Sequence, residues 1–236
     1  MPHLTMQEWK LILPFMRTGE PLQLRGRPTQ QRSVATFQLI LDTAARLLES
    51  RGFDALTTNL LAEESGLSVR AIYRYFPNKH AVVAELAAQM AVRWRDAVSG
   101  AGPFDDPSRA WDELWAQYID AFVGAVRSTP GARAVLAAMR EDPTLRAVDE
   151  AANRGYIDGI TAALISRRPF IGRPEANTVA TVLMRSTVAV LEEAFEADLR
   201  TARRLVAVLV RMHLGLLREV LGDPEPRRRA NARTRR

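Results

Sequence analysis

The chain has 236 residues, 47% of them hydrophobic, which allows one large domain or two modest ones with a real core. It contains no cysteine, so disulfide frameworks and thiolate metal sites are excluded. No apolar run approaches the ~20 residues of a membrane span; LILPF (Leu11 to Phe15) is short, broken by Pro14 and preceded by Glu8, so a cytoplasmic protein with no membrane partner is expected.

The formal charge of +6 is concentrated at the two ends. Residues 1–80 carry 10 Lys and Arg against 7 Asp and Glu, residues 81–223 carry 17 against 19, and residues 224–236 carry 6 against 1. Basic ends flanking a nearly neutral middle point to nucleic acid or an anionic surface, or else to a solvated tail.

In chain order, Met1 to Glu20 has no convincing period and reads as a leader. Leu24-Arg25-Gly26-Arg27-Pro28 follows, ending the leader-and-arm segment 1–29. Such an arm can place Arg25 and Arg27 in a narrow minor groove or on phosphate, or can be a plain linker. A first helix is expected over about Ser33 to Arg51, with Phe37, Ile40-Leu41, Ala44 and Leu47-Leu48 on its buried stripe and Gly52 closing it.

Thr57 to Lys79 (TTNLLAEESGLSVRAIYRYFPNK) then reads as two short helices about a tight turn. Thr57 or Thr58 caps the first, Gly66 supplies the left-handed exit, and Ser68 caps the second. Ile72, Tyr73 and Phe76 are expected on one apolar face, over Leu61, Ala62 and Leu67. Arg70, Ala71, Arg74 and Tyr75 make the other face, with no acidic group, which suits a DNA major groove. Pro77 stops the helix.

Gly52-Phe53, Thr57, Leu61-Ala62, Gly66-Leu67-Ser68, Ile72-Tyr73, Tyr75-Phe76-Pro77 and Lys79 stand in register with the DNA-binding domain of the tetracycline-repressor (TetR) family, which residues 32–86 resemble. The run GLSxxAIYxYFPNK carries most of the likeness. On the residues alone, Arg70 and Arg74 reach guanine edges or phosphate, Ala71 packs on a thymine methyl, and Thr57 and Ser68 cap or touch the backbone. The resemblance implies phosphate contacts from Tyr75 and Lys79 and a buried Tyr73. Val69 departs from the polar residue common there and reads either as a methyl reader or as packing.

Beyond a helix from Ala81 to about Ser99, the segment Gly100 to Ser108 is a break. The next helix, to about Arg127, carries Trp111, Trp115, Tyr118 and Phe122 at i, i+4, i+7 and i+11, either core or one wall of an apolar ligand pocket. A short helix to about Arg140 follows. Another starts at Pro143 and reaches Ile165; on it Asn153 and Tyr156 could offer hydrogen bonds to a ligand. The last two run from about Glu175 to Glu196 and from Leu199 to Leu221. Arg185 interrupts the first of these; it could hold a ligand carboxylate, pair with Glu150 or Asp158, or lie on an exposed stripe. His213 interrupts the second.

These two helices carry more apolar residues than one monomer needs. The resemblance implies a homodimer through a four-helix bundle, for which Val182, Val190, Leu205, Leu209, Met212 and Leu216 are the candidates. The tail 223–236 is basic, low in apolar residues and expected to be disordered.

The expected fold is all-α with about nine helices: a helix-turn-helix head over 30–80 and a regulatory, ligand-binding and dimerisation domain over 81–222. No metal, cofactor or catalytic constellation is evident, since His3, His80 and His213 lack ligand spacing and no phosphate loop or nucleophile elbow occurs. The expected function is a non-enzymatic repressor that binds a palindromic double-stranded operator as a homodimer and is released by a small apolar or amphipathic effector. The alternative is a DNA-binding or interaction protein on the same scaffold, controlled by a protein partner.

Overall fold

The computed structural model describes residues 22–99, 104, 106 and 108–224. The leader, most of the glycine-proline break and the basic tail, on which three of the expectations fall, lie outside these residues. Nine helices and no strand occur among the described residues, as expected of an all-α chain. They are α1 (Gln31–Ala55), α2 (Thr58–Ser65), α3 (Val69–Tyr75), α4 (Lys79–Ser99), α5 (Trp111–Ser128), α6 (Ala132–Glu141), α7 (Pro143–Arg167), α8 (Arg173–Glu196) and α9 (Leu199–Leu221).

The chain divides into two compact units, Met1–Arg95 with Ala125–Tyr156, and Asp96–Gly124 with Ile157–Arg236. Helices α4, α5 and α7 each have one end in each unit.

In the first unit, α1 packs against α2 and α6, and α2 packs against α3. Gly52, at φ 77° and ψ 175°, interrupts α1 near its end. Phe37 stacks on Phe76 with centroids 4.9 Å apart and meets the edge of Tyr75 at 5.5 Å, so α1 grips the end of α3 through rings. Pro77 pushes Phe76 into an extended conformation (φ −118°, ψ 124°), which ends α3. Asn78 Oδ1 then accepts the Ala81 N–H at 2.9 Å and starts α4. Asp142 caps α7 by accepting from Thr144 N–H at 2.8 Å, and its other oxygen meets His80 Nε2 at 3.1 Å. Gly131, at φ 73°, opens α6 hard against α1; a Cβ there would sit 3.1–3.2 Å from the Ala45 Cβ and carbonyl, on top of the cost of about 1–2 kcal/mol that an L-residue incurs at positive φ.

In the second unit α8 and α9 form the antiparallel pair. Asp198 caps α9, accepting from Arg200 and Thr201 N–H groups at 2.8 and 3.0 Å. Ala202, Leu209, His213, Leu217 and Val220 are the buried stripe of α9, and Val179, Ala180, Leu183, Met184, Thr187, Leu191 and Ala194 lie buried on α8. This corrects the dimer expectation for Leu209, which is 1% exposed and belongs to its own subunit's core. Val182 and Met212 remain outward, with Val208 and Leu199, at 48–55% exposure, while Val190, Leu205 and Leu216 are half-buried.

A candidate nucleic-acid interface

The helix-turn-helix is built by two caps and one glycine. The Thr57 hydroxyl accepts the Leu60 N–H at 3.1 Å and the Ser68 hydroxyl accepts the Ala71 N–H at 3.2 Å, so each helix begins on a satisfied donor. Between them Gly66 turns left-handed at φ 67°, and the Leu67 N–H donates to the Ala62 carbonyl at 3.0 Å, closing the exit of α2. The caps fix the register in which α3 is offered to solvent.

The faces of α3 differ from the expectation in one pair. Ile72, Tyr75 and Phe76 are buried at 0–5% exposure, whereas Tyr73 is 38% exposed. Positions 72, 75 and 76 span an arc of about 100°, and so do 72, 73 and 76; the choice between the two tyrosines falls to Phe37, which packs on Tyr75 and Phe76. Tyr75 turns its hydroxyl to the Ser33 carbonyl at 3.5 Å. The exposed ring of Tyr73 has its hydroxyl 3.2 Å from the Thr58 hydroxyl and the Arg25 guanidinium 5.7 Å above it. Tyr73 is therefore a surface residue that pattern reading missed, because helical spacing admits either tyrosine on the buried face.

Val69, Arg70, Tyr73 and Arg74 are exposed and Ala71 is half-buried, so the outer face of α3 is basic and aromatic with no carboxylate. Glu64, on α2, is engaged by Arg51 at 3.0 Å. Lys79 donates to the Phe53 carbonyl at 3.0 Å with its ammonium 4.1 Å from the Phe53 ring centre. Arg25 donates to the Tyr73 carbonyl at 3.4 Å, and Arg27 meets buried Glu85 at 3.6 Å.

Two family models match this chain. Residues 40–86 match "Bacterial regulatory proteins, tetR family", and residues 110–217 match "Tetracyclin repressor-like, C-terminal domain", together about two thirds of its length. The chain belongs to the TetR family of transcriptional regulators. It is similar to the HTH-type transcriptional regulator EthR of Mycolicibacterium smegmatis, 28% identical over 72% of this chain and 73% of that one. It is also similar to the uncharacterized HTH-type regulator YdeS of Bacillus subtilis, 42% identical over 25% of this chain but only 28% of that relative. Among solved structures, SmeT, the repressor of the Stenotrophomonas maltophilia multidrug efflux pump SmeDEF, shares the fold with a TM-score of 0.62 at 19% identity, over 78% of this chain and 91% of that one. The match over residues 40–86 spans α2, α3 and the turn between them, the helix-turn-helix of this DNA-binding regulator.

The other expected site lies in the second unit of this TetR-family chain only in part. Trp111, Trp115 and Phe122 are buried on α5, Tyr118 is half-buried, and Trp115 stacks on Tyr118 at 5.5 Å. Burial pushes the Tyr118 phenol up to about 12. Phe104 meets the edge of Trp115 at 5.1 Å. Asn153 and Tyr156 belong to the first unit, where Asn153 donates to Asp149 at 3.0 Å. Arg185 is exposed, one turn from outward Val182. No helix among the described residues is long and apolar enough to cross a membrane.

Trp115 Nε1 donates to His213 Nδ1 at 3.3 Å; His213 Nε2 then faces the Ser186 hydroxyl at 2.8 Å, which donates to the Val182 carbonyl at 2.7 Å. Since the indole can only donate, Nδ1 must be the acceptor and the neutral Nε2–H tautomer is required. Burial pushes this histidine down from 6.5 to about 4. A group held neutral in the fold but protonated when unfolded removes stability as pH falls from the unfolded value toward the folded one. Urea melts between pH 7 and 4.5 should therefore show a loss smaller by roughly 2 kcal/mol in His213→Gln, whose amide can keep both bonds without titrating. Equal acid losses in both proteins would remove His213 from the pH response.

Proposed function

We propose that this regulator is a repressor that sits as a homodimer on an inverted-repeat operator and leaves it when a small lipophilic effector binds the second unit. The observation that carries the DNA half is the outer face of α3, with Val69, Arg70, Tyr73 and Arg74 exposed and no acidic group among them. Such a face meets base edges through arginine and phosphates through arginine and tyrosine. Thr57, Ser68, Ala71 and Lys79 border it, and Thr57 and Ser68 cap their helices with side chains that can also reach phosphate.

Two copies joined through the outward apolar stripe of Val182, Val208 and Met212 would present two heads, and twofold heads read half-sites about one helical turn, ~34–36 Å, or a multiple apart. The effector shifts the population toward a head spacing that does not fit, which requires it to favour that state.

The effector half is supported by the aromatic face of α5. Trp111 is 5% exposed and its Nε1 has no hydrogen-bond partner. The buried polar side chains of that unit among the described residues are Thr161, Thr187 and His213, none of them charged at neutral pH. The unpaired Trp111 N–H is a donor without an acceptor on an aromatic face, so the fitting ligand is lipophilic with one hydrogen-bond acceptor. SmeT has been solved as a triclosan complex, which is a precedent for a compact aromatic ligand on this fold.

Fluorescence-anisotropy titration of the bound operator with neutral lipophilic compounds bearing ketone, ether or phenol oxygens tests this. At least one compound should release the duplex, and Trp111→Phe should raise the concentration needed by about tenfold, the worth of one buried hydrogen bond. Release that is indifferent to Trp111→Phe would move the ligand off α5, and the absence of any releasing compound would favour control by a protein partner.

A further inference from the structure

The segment ahead of α1 is seated on the recognition helix. Leu22 is buried at 6% exposure. The Arg25 N–H donates to the Tyr75 carbonyl at 2.9 Å, and the Arg25 side chain donates to the Tyr73 carbonyl at 3.4 Å. Gly26 runs close beside α3, with the site of a Cβ 3.8 Å from the Arg74 carbonyl. These carbonyls are at the C-terminal end of α3, where backbone acceptors lack helical partners and favour a cation. Arg25 supplies both.

What holds the segment there is one residue further on. Arg27 lies 3.6 Å from Glu85, a carboxylate on α4 that is 0% exposed. Gln89 donates to the Glu85 Oε1 at 3.4 Å, while Oε2 accepts no hydrogen bond. Burial pushes the Glu85 carboxyl up to about 7, with the Arg27 charge opposing that shift. A buried carboxylate with one side unbonded contributes little net stability, because desolvation offsets its attraction for the cation. Removing either partner, however, leaves the other uncompensated. The pair therefore acts on position more than on stability.

We propose that Glu85 is a positioning residue of the DNA interface: through Arg27 it seats residues 22–27 along the end of α3, so that Arg25 is the arm cation presented to DNA and Arg27 is withheld from it. This divides the two arginines that the sequence offers as equivalent. It also ties the arm to α4, the helix that leaves the head, so that a displacement of α4 is transmitted to Arg25 by charge.

Two measurements on the full chain test it. Amide hydrogen exchange at the Arg25 N–H, without DNA, should accelerate by about tenfold or more in Glu85→Gln and in Arg27→Ala, with no further gain in the double variant. Titrations of a mixed-sequence duplex against salt give the second readout. An unseated Arg25 still reaches phosphate on a mixed-sequence duplex, so Arg25→Ala should lower the slope by about one phosphate, Arg27→Ala should leave it unchanged, and Glu85→Gln should raise it by about one as Arg27 is released. A slope that falls equally in Arg27→Ala and Arg25→Ala overturns the assignment, as does unchanged Arg25 protection in both pair variants. Should Glu85→Gln fail to fold, Arg27→Ala breaks the same pair from the half-exposed side and decides the matter alone. The salt slopes depend on the proposed DNA-binding role, whereas the exchange result does not, so a protein that binds no duplex but shows the exchange pattern would sink the role and keep the seat.

Discussion

Met212→Glu is expected to convert a dimer into a monomer and to abolish specific operator binding at protein concentrations where the wild type saturates it. Met212 is 49% exposed on α9, one turn from Val208 at 53%, and Val182 on α8 is exposed at 48%. Exposed apolar side chains clustered on an antiparallel helix pair mark a contact surface, and a carboxylate placed in a dry twofold interface would appear twice without a partner. Monomeric heads lose the tether that makes the second half-site contact intramolecular, a loss of effective concentration worth orders of magnitude in affinity. Leu209→Glu should behave differently. Leu209 is 1% exposed inside its own subunit, so the charge should unfold the second unit and not merely separate two folded chains. Analytical ultracentrifugation with circular dichroism separates the two: folded monomer for Met212→Glu, loss of helix for Leu209→Glu. A folded dimer from Met212→Glu would place the interface elsewhere.

Arg70→Ala and Arg74→Ala should each weaken specific binding by about 1–3 kcal/mol, roughly ten- to a hundred-fold, while changing non-specific affinity far less. Both side chains are exposed on the outer face of α3, and no acidic group lies on that face to neutralise them. Their helix is only seven residues long, so its aim depends on the Ser68 cap and on the Phe37, Tyr75 and Phe76 rings beneath it. Competition titrations, operator against scrambled duplex, give the two affinities. If either variant weakens both duplexes by the same factor, that arginine holds phosphate and reads no base.

The helix order was legible because glycine and proline punctuate it. Gly66, Pro77, Gly131 and Pro143 each stand at an element boundary, Gly52 breaks α1 three residues before its end, and the caps Thr57 and Ser68 stand where their hydroxyls were expected. Direction around a helix was harder. In α3 two adjacent aromatic positions flank Arg74, and a one-residue choice moved Tyr73 inward and Tyr75 outward, opposite to the structure. In α9 two apolar stripes run side by side, one packed on α8 and one outward. Hydropathy alone does not say which stripe meets its own chain, and Leu209 fell on the wrong one. Glu85 left a trace that went unread: a lone carboxylate in the run AVVAELAAQM must be paired or protonated once that helix is buried. Its partner, 58 positions away in sequence, depends on the fold. The aromatic face of α5 shows the remaining limit, because core and pocket wall use the same residues, and only the unpaired indole of Trp111 separates them.

The central claim, sequence-specific recognition by a pair of heads, is tested most directly by selecting duplexes from a randomised pool with the full-length protein at near-physiological salt. The selected sequences should converge on an inverted repeat with half-sites about one helical turn, ~34–36 Å, or a multiple apart, and Arg70→Ala should relax the preference at particular positions of each half. A pool that remains random after repeated rounds, with binding that vanishes as salt rises, would contradict it.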